Sequence, residues 1–189
     1  MYSRYFHSVV YRIKADALKL KFYIYSREHY PVYLLIIVPS LFVSIVVVSY
    51  LAIDRYETSR RLHCLTMNIY HEARGEPVKG QYAVARVTLN RVASRHYPNT
   101  ICEVVHQKKW DYLRKRYVSA FSWTELPPKP KVKNKAWKQA LKIAKDVYQN
   151  QTAENNLHGA LFYHARYIKP SWARKKKPIA RIGRHIFYK

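Results

Sequence analysis

The longest apolar run in the chain, VYLLIIVPSLFVSIVVVSYLAI from Val32 to Ile53, holds twenty-two residues without a charge. A helix of that length spans about 33 Å, enough to cross the hydrocarbon core of a bilayer. Pro39 inside it is tolerated in a membrane helix as a kink. Tyr30 and Tyr33 at one end and Tyr50 and Tyr56 at the other suit the headgroup level. The run is too long for a cleaved signal peptide, and no small-x-small site follows it. From Ser59 the pattern changes: Leu62, Leu65, Ile69 and Tyr70 recur at helical spacing until Gly75, and Pro77 then suits the first turn of a second helix. That helix carries Tyr82, Ala83, Val87 and Val92 along one side. Thr100 and Glu103 form a T-x-x-E capping signature ahead of Val104 and Val105.

Between about Lys108 and Lys133 the periodicity is poor, and Pro127, Pro128 and Pro130 predict a loop. Trp137, Ala140, Leu141, Ala144, Val147 and Tyr148 then give the clearest amphipathic helix. After it, the segments from Ala160 to Tyr163 and from Ile179 to Tyr188 read as strands, joined by the basic loop Lys169 to Lys177. Helices first and strands last predict an α+β domain, and no internal repeat is visible. The organisation expected is a basic segment over 1–31, a membrane helix over 32–53 and one folded domain over 54–189.

Charge adds an orientation and a class of partner. The formal net charge is +24, and such a field favours a polyanion: nucleic acid, anionic lipid or wall polymer. Arg4, Arg12, Lys14, Lys19, Lys21 and Arg27 precede the apolar run, against Arg55, Arg60 and Arg61 after it. The larger cluster belongs inside, which puts everything after Tyr56 outside the cytoplasmic (inner) membrane. The only cysteines, Cys64 and Cys102, lack the C-x-x-C spacing of a zinc ribbon. In an oxidising compartment a Cys64–Cys102 disulfide is plausible. The Lys108–Arg116 and Lys129–Lys145 stretches read either as a surface for anionic wall polymer or membrane, or as a solvated face.

The sharpest local feature is Tyr70-His71-Glu72-Ala73-Arg74-Gly75-Glu76-Pro77. Glu72 and Glu76 stand four apart, so both carboxylates share a direction if the helical turn persists through Gly75. Burial and a like-charged neighbour raise a carboxyl pKa, as general acid catalysis on a glycosidic oxygen requires near neutrality. The competing reading is two solvated helix-end charges in a basic chain.

HEARGEPVKGQYAVARVTLNRVASRHYPNTICEVV, then SAFSWT, GALFYHA and WARKKKPIARIGRHIFY, resemble the SleB-type cell wall hydrolase family, in order, from about Cys64 to Tyr188. That family includes the catalytic domains of spore cortex-lytic enzymes and their proteobacterial relatives. The resemblance implies a lysozyme-like α+β fold, mostly helical with a small antiparallel C-terminal sheet, acting on peptidoglycan glycan strands. It places the essential acid/base at Glu72 and implies lytic transglycosylation between N-acetylmuramic acid and N-acetylglucosamine, with no metal and no cofactor. Glu76, Arg74 and His71 are then candidates for tuning Glu72, His71 by lowering its pKa when charged; Glu76 serving as a second carboxyl is the alternative, which would make the reaction a hydrolysis. Ser122, Trp123, Tyr163, His164, Arg181 and His185 are candidates for lining the groove, with core or surface roles as the alternative for each. Asn90 is expected to hydrogen-bond backbone near Glu72.

Two other functions are weighed against this. A zinc-dependent N-acetylmuramoyl-L-alanine amidase can be imagined from His71, His158, His164 and His185, but H-E-x-x-H spacing is absent. A membrane-tethered, non-catalytic polyanion binder follows from the charge, yet no nucleic-acid motif is present and the orientation faces away from nucleic acid. A phage lysis enzyme on a releasing signal-anchor has the same layout. Releasing anchors, however, are rich in glycine and alanine, whereas this run of Ile, Val and Leu favours a permanent anchor.

Overall fold

The computed structural model describes residues 30–112, 114–125, 134–149, 157 and 159–189, with single positions at 14, 17, 19 and 21. The prolines at 127, 128 and 130 and nearly all of the basic N-terminal segment lie outside the described residues. The chain divides into two compact units, Met1–Asp54 and Arg55–Lys189.

The first helix, α1, runs unbroken from Tyr30 to Ala73. The apolar run and the following amphipathic segment, read above as separate helices, are therefore one element, because nothing between Ile53 and Ser59 breaks a helix. Pro39 sits within it, and the hydroxyls of Ser40 and Ser44 donate to the carbonyls of Ile37 and Ser40, both at 2.8 Å. From Tyr33 to Ile53 the side chains are exposed, Leu35 by 73% and Phe42 by 67%. Among the described residues this is the one helix long and apolar enough to cross a membrane.

In the second unit, α1 is followed by α2 (Val78–Val92), the short α3 (Ile101–Val105) and, after a hairpin, α4 (Lys135–Tyr148). The T-x-x-E signature works as read: Thr100 Oγ1 accepts the Glu103 N–H at 3.3 Å and donates to its carboxylate at 2.7 Å. Asn134 caps α4 through the Trp137 N–H. Leu65, Ile69, Ala85, Ile143 and Val147 pack into one apolar core together with Cys64, Ile101 and Val105. Each fully buried Leu or Ile contributes about 1.5–3 kcal/mol. Cys64 and Cys102 are joined by a disulfide with Cα atoms 5.3 Å apart, which ties α1 to α3 across this core.

The other side of α2 buries Ala83 and Val87 against Phe187, Leu157 and Ala160, and so rests on a sheet. That sheet has three strands, not two: β3 (Phe162–Ala165), β4 (Pro178–Ile182) and β5 (His185–Tyr188), in antiparallel order β3-β5-β4. The segment read as one strand from Ile179 to Tyr188 reverses at Gly183, whose φ of +58° a glycine adopts without strain. The first two strands of the chain, written βa (Lys108–Asp111) and βb (Arg116–Ser119), pair as an antiparallel hairpin before α4. It falls where the periodicity was poor. Its strands are four residues each and largely exposed, so no apolar alternation marks them.

Candidate active site

Glu72 occupies the last turn of α1, which stops at Ala73 where the chain turns through Arg74 and Gly75 and the Glu76 N–H closes on the Ala73 carbonyl at 2.9 Å. The helix does not persist through Gly75. The two glutamates therefore do not share the helical face anticipated for them, and each takes its own partners.

Glu72 is half-buried, and its Oε2 accepts the Tyr163 hydroxyl from β3 at 3.1 Å. Burial pushes the Glu72 carboxyl above its ordinary value, and the Tyr163 hydroxyl and the nearby Arg91 charge offset this only in part. Burial, reinforced by Glu72, drives the Tyr163 phenol well above its own ordinary value, so Tyr163 is a donor throughout the physiological range. Its ring is fixed edge-on to His185 at 5.1 Å and beside Phe187 at 5.7 Å. Arg91, from α2, is anchored by its Nε to the Leu161 carbonyl at 2.9 Å and lies over Tyr97 and Phe121.

Glu76 is buried and fully engaged. Its Oε2 accepts the Arg184 N–H at 2.8 Å, and its Oε1 accepts Arg184 Nε at 2.7 Å. Arg184 also donates to the Gly75 carbonyl at 2.9 Å. Burial opposes charge on Glu76, but the Arg184 bonds and the His185 and Arg184 charges outweigh it and hold the carboxyl below its ordinary value. A Cβ at Gly183 would collide with Glu76 Oε2, so the glycine is required for approach as well as for its φ. His185 is buried with Nδ1 4.0 Å from Glu76 Oε2. Burial lowers its pKa, Glu76 opposing.

The other anticipated residues separate into two groups. His71 stacks on Trp123 with centroids 4.6 Å apart and planes at 13°, so one face of the indole is occupied by protein. Trp123 lies with exposed Ser122 in the 3-10 turn Ser122–Glu125. Arg74 is exposed, over the Tyr70 ring at 4.9 Å. His164 and Arg181 are not brought to Glu72. Strand alternation puts them on the sheet face opposite Tyr163, where His164 Nε2 meets the Tyr188 hydroxyl at 2.8 Å and the ring packs on Trp172. Asn90 donates to the carbonyls of Ala160 (3.1 Å) and Leu157 (3.4 Å), not to backbone near Glu72, because it points to the sheet side of α2. Among the described residues no three His, Cys, Asp or Glu side chains gather to hold a metal. His158 lies outside them. An open cavity of about 450 Å³ is lined by Pro77, Lys79 and residues 179–183, without Glu72.

Arg91 and Arg184 were not singled out from the sequence. For Arg184 the available signal is its place directly after Gly183, a turn-forming residue between two apolar stretches. For Arg91 there was none, since its role depends on α2 crossing the sheet.

The chain matches the family model described as Cell Wall Hydrolase over residues 75–188, well over half its length. It belongs to the cell wall hydrolase family. The spore cortex-lytic enzyme of Bacillus cereus is 33% identical over 122 residues, covering 64% of this chain and 41% of that enzyme. The spore cortex-lytic enzyme of Oceanobacillus iheyensis is 32% identical over 122 residues, 38% of its length. The chain thus spans about two-fifths of the length of these curated relatives. Among solved structures, the catalytic domain of the germination-specific lytic transglycosylase SleB from Bacillus anthracis superposes with a TM-score of 0.50 at 30% identity, covering 68% of this chain and 93% of that domain. The mostly helical fold with small antiparallel sheets agrees with that domain. The family match takes in Glu76, Tyr163, Arg184 and His185, whereas Glu72 lies just before its first residue, Gly75.

Proposed function

We propose that this cell wall hydrolase family member cleaves the bond between N-acetylmuramic acid and N-acetylglucosamine in peptidoglycan as a lytic transglycosylase, with Glu72 as acid and then base. The observation that carries the reading is Glu72 itself: half-buried, raised in pKa and bonded to a tyrosine hydroxyl. Glu76, Glu125 and Asp146 are shifted the other way by ion pairs and hydrogen bonds. A protonated Glu72 gives its proton to the glycosidic oxygen as the C1–O4 bond breaks. The resulting carboxylate then takes the proton of the muramyl 6-hydroxyl while O6 bonds to C1. The proton is returned, no water is consumed, and one carboxyl suffices. A hydrolase of the two-carboxylate kind needs a second group free to serve the opposite face of the sugar, and Glu76 is held by Arg184.

The apolar part of α1 is read as a permanent single-pass anchor in the inner membrane, N-terminus inside, which presents the catalytic unit to the wall. The decisive test is digestion of purified sacculi followed by mass spectrometry. Wild type should yield 1,6-anhydro-muramic acid ends, unaffected by chelators, and Glu72→Gln should lose activity by about 1,000- to 10,000-fold while staying folded. Reducing muramic acid ends would indicate hydrolysis, and stem peptides released only without chelator would indicate a zinc amidase. Full activity in Glu72→Gln would end the assignment.

A further inference from the structure

The hairpin βa–βb carries no part of the chemistry above, yet its composition is unusual for a solvated edge. Trp110 and Tyr117 are cross-strand partners, with ring centroids 5.2 Å apart and planes at 73°, and they are 45% and 64% exposed. By alternation Lys108 shares their face. Five cations stand between Lys108 and Arg116, against Asp111 within the hairpin and Glu125 beside it. A water-facing aromatic pair set in positive charge that Asp111 and Glu125 offset only in part marks a surface that something covers.

The hairpin is also held firmly. A two-stranded ribbon is marginal alone in water, but here Glu125 Oε1 accepts the Ser119 N–H at 2.8 Å and the Ala120 N–H closes on the Gln107 carbonyl at 2.8 Å. Lys109 Nζ lies 5.0 Å over the Tyr97 ring. Glu125 belongs to the same 3-10 turn as Trp123, whose indole stacks on His71, the neighbour of Glu72. The turn that fixes the hairpin thus also carries the ring that stacks on His71.

We infer that the βa–βb hairpin is a holding arm for the glycan strand outside the cleavage site. Trp110 and Tyr117 pack on sugar faces, and Lys108 and Lys115 pair with the carboxylates of stem peptides. The inference rests on the proposed substrate, because stem-bearing glycan combines the two chemistries that this surface complements, apolar pyranose faces and closely spaced carboxylates. The arm supplies retention on the strand and takes no part in proton transfer.

The test uses the full chain in detergent with Glu72→Gln to stop turnover, sedimented with purified sacculi. Lys108→Ser with Lys115→Asn is the first variant, asparagine suiting the φ of 49° at residue 115. Trp110→Ala with Tyr117→Ala is the second, and thermal unfolding checks that both remain folded. Each pair should weaken sacculus binding about tenfold, equivalent to about 1.4 kcal/mol. Sacculi whose carboxylates have been amidated should bind the parent protein weakly and should erase the deficit of the lysine variant. Binding of the lysine and aromatic variants equal to the parent's would overturn the inference, as would binding indifferent to amidation. Variants that keep sacculus binding but lose retention on immobilised anionic phospholipid would reassign the arm to a membrane surface. Cleavage of sacculi by the wild type, with binding independent of the hairpin, would sink this inference alone. Hairpin-dependent binding without cleavage would sink the catalytic reading alone.

Discussion

Replacing Tyr163 by phenylalanine tests the chemistry at its narrowest point. The substitution removes one oxygen and leaves the ring between His185 and Phe187, so the packing at 5.1 and 5.7 Å is retained. What is lost is the hydroxyl 3.1 Å from Glu72 Oε2. A hydrogen bond to a charged group contributes about 1.5–3 kcal/mol, which corresponds to about 10- to 100-fold. Two effects follow. Without its tether the carboxyl loses alignment with the glycosidic oxygen, and kcat should fall by about that factor. The second effect is on the pH profile. In the proposed mechanism Glu72 starts the reaction as an acid, so the rate should fall as pH rises through its pKa. Burial raises that pKa and the Tyr163 hydroxyl lowers it. Deleting the hydroxyl leaves burial less opposed, and the descending limb should move to higher pH. The assay is release of soluble fragments from sacculi between pH 4 and 9, with thermal unfolding measured in parallel. A Tyr163→Phe enzyme with the wild-type rate and an unmoved alkaline limb would refute the coupling of Tyr163 to Glu72.

Glu72→Gln should also raise the Tm at pH 7–8. A buried carboxyl with a raised pKa gives stability in acid that is lost as pH rises through the folded value. The gain from glutamine should shrink towards pH 4, and a gain equal at all pH values would contradict this. Glu76→Gln should act in the opposite sense. Its lowered pKa contributes stability above the unfolded value and loses it in acid, so the wild type's margin over this variant should be largest at neutral pH and close on acidification. Replacing both cysteines by serine opens a crosslink between residues 38 apart, and chain entropy alone predicts a loss of about 4 kcal/mol, read by urea unfolding. A periplasm-active reporter fused after Lys189 should give signal and a cytoplasm-active one should not, with the reverse result inverting the topology.

Much of this was legible in the sequence because the helices obey local rules. The apolar run, the Leu62–Tyr70 stripe, the Thr100 cap and the Trp137–Tyr148 face each carry a signal within a few residues. The strands were legible only in part. The reversal at Gly183 depends on a backbone angle, and the βa–βb hairpin buries too little to show alternation. Of the site, Glu72 was read through a family resemblance, while its bond to Tyr163 joins positions 91 apart and exists only once β3 docks beside α1. His164 and Tyr163 look equivalent as neighbours in a motif, yet a two-residue period sends them to opposite faces.

The two glutamates of E-A-R-G-E show why identity and spacing do not assign roles. Had α1 continued through Gly75, both carboxylates would face one way and repel, each raising the pKa of the other. Because the helix ends at Ala73, Glu76 is carried to the β4–β5 turn, where two nitrogens of Arg184 bond it. An acid held this way stays ionised and does not deliver a proton, but it fixes the turn from which His185 meets the ring of Tyr163. Tyr163 in turn bonds Glu72. The route from Glu76 to the candidate acid is therefore mechanical, through Arg184, His185 and Tyr163. Glu76→Gln should on this basis cost rate by loosening Tyr163, with the loss largely recovered where the fold is independently stabilised, whereas no stabilisation should restore Glu72→Gln. If Glu76→Gln proved as inactive as Glu72→Gln while equally well folded, Glu76 would be acting on the substrate directly, and a two-carboxylate hydrolysis would replace the single-acid mechanism.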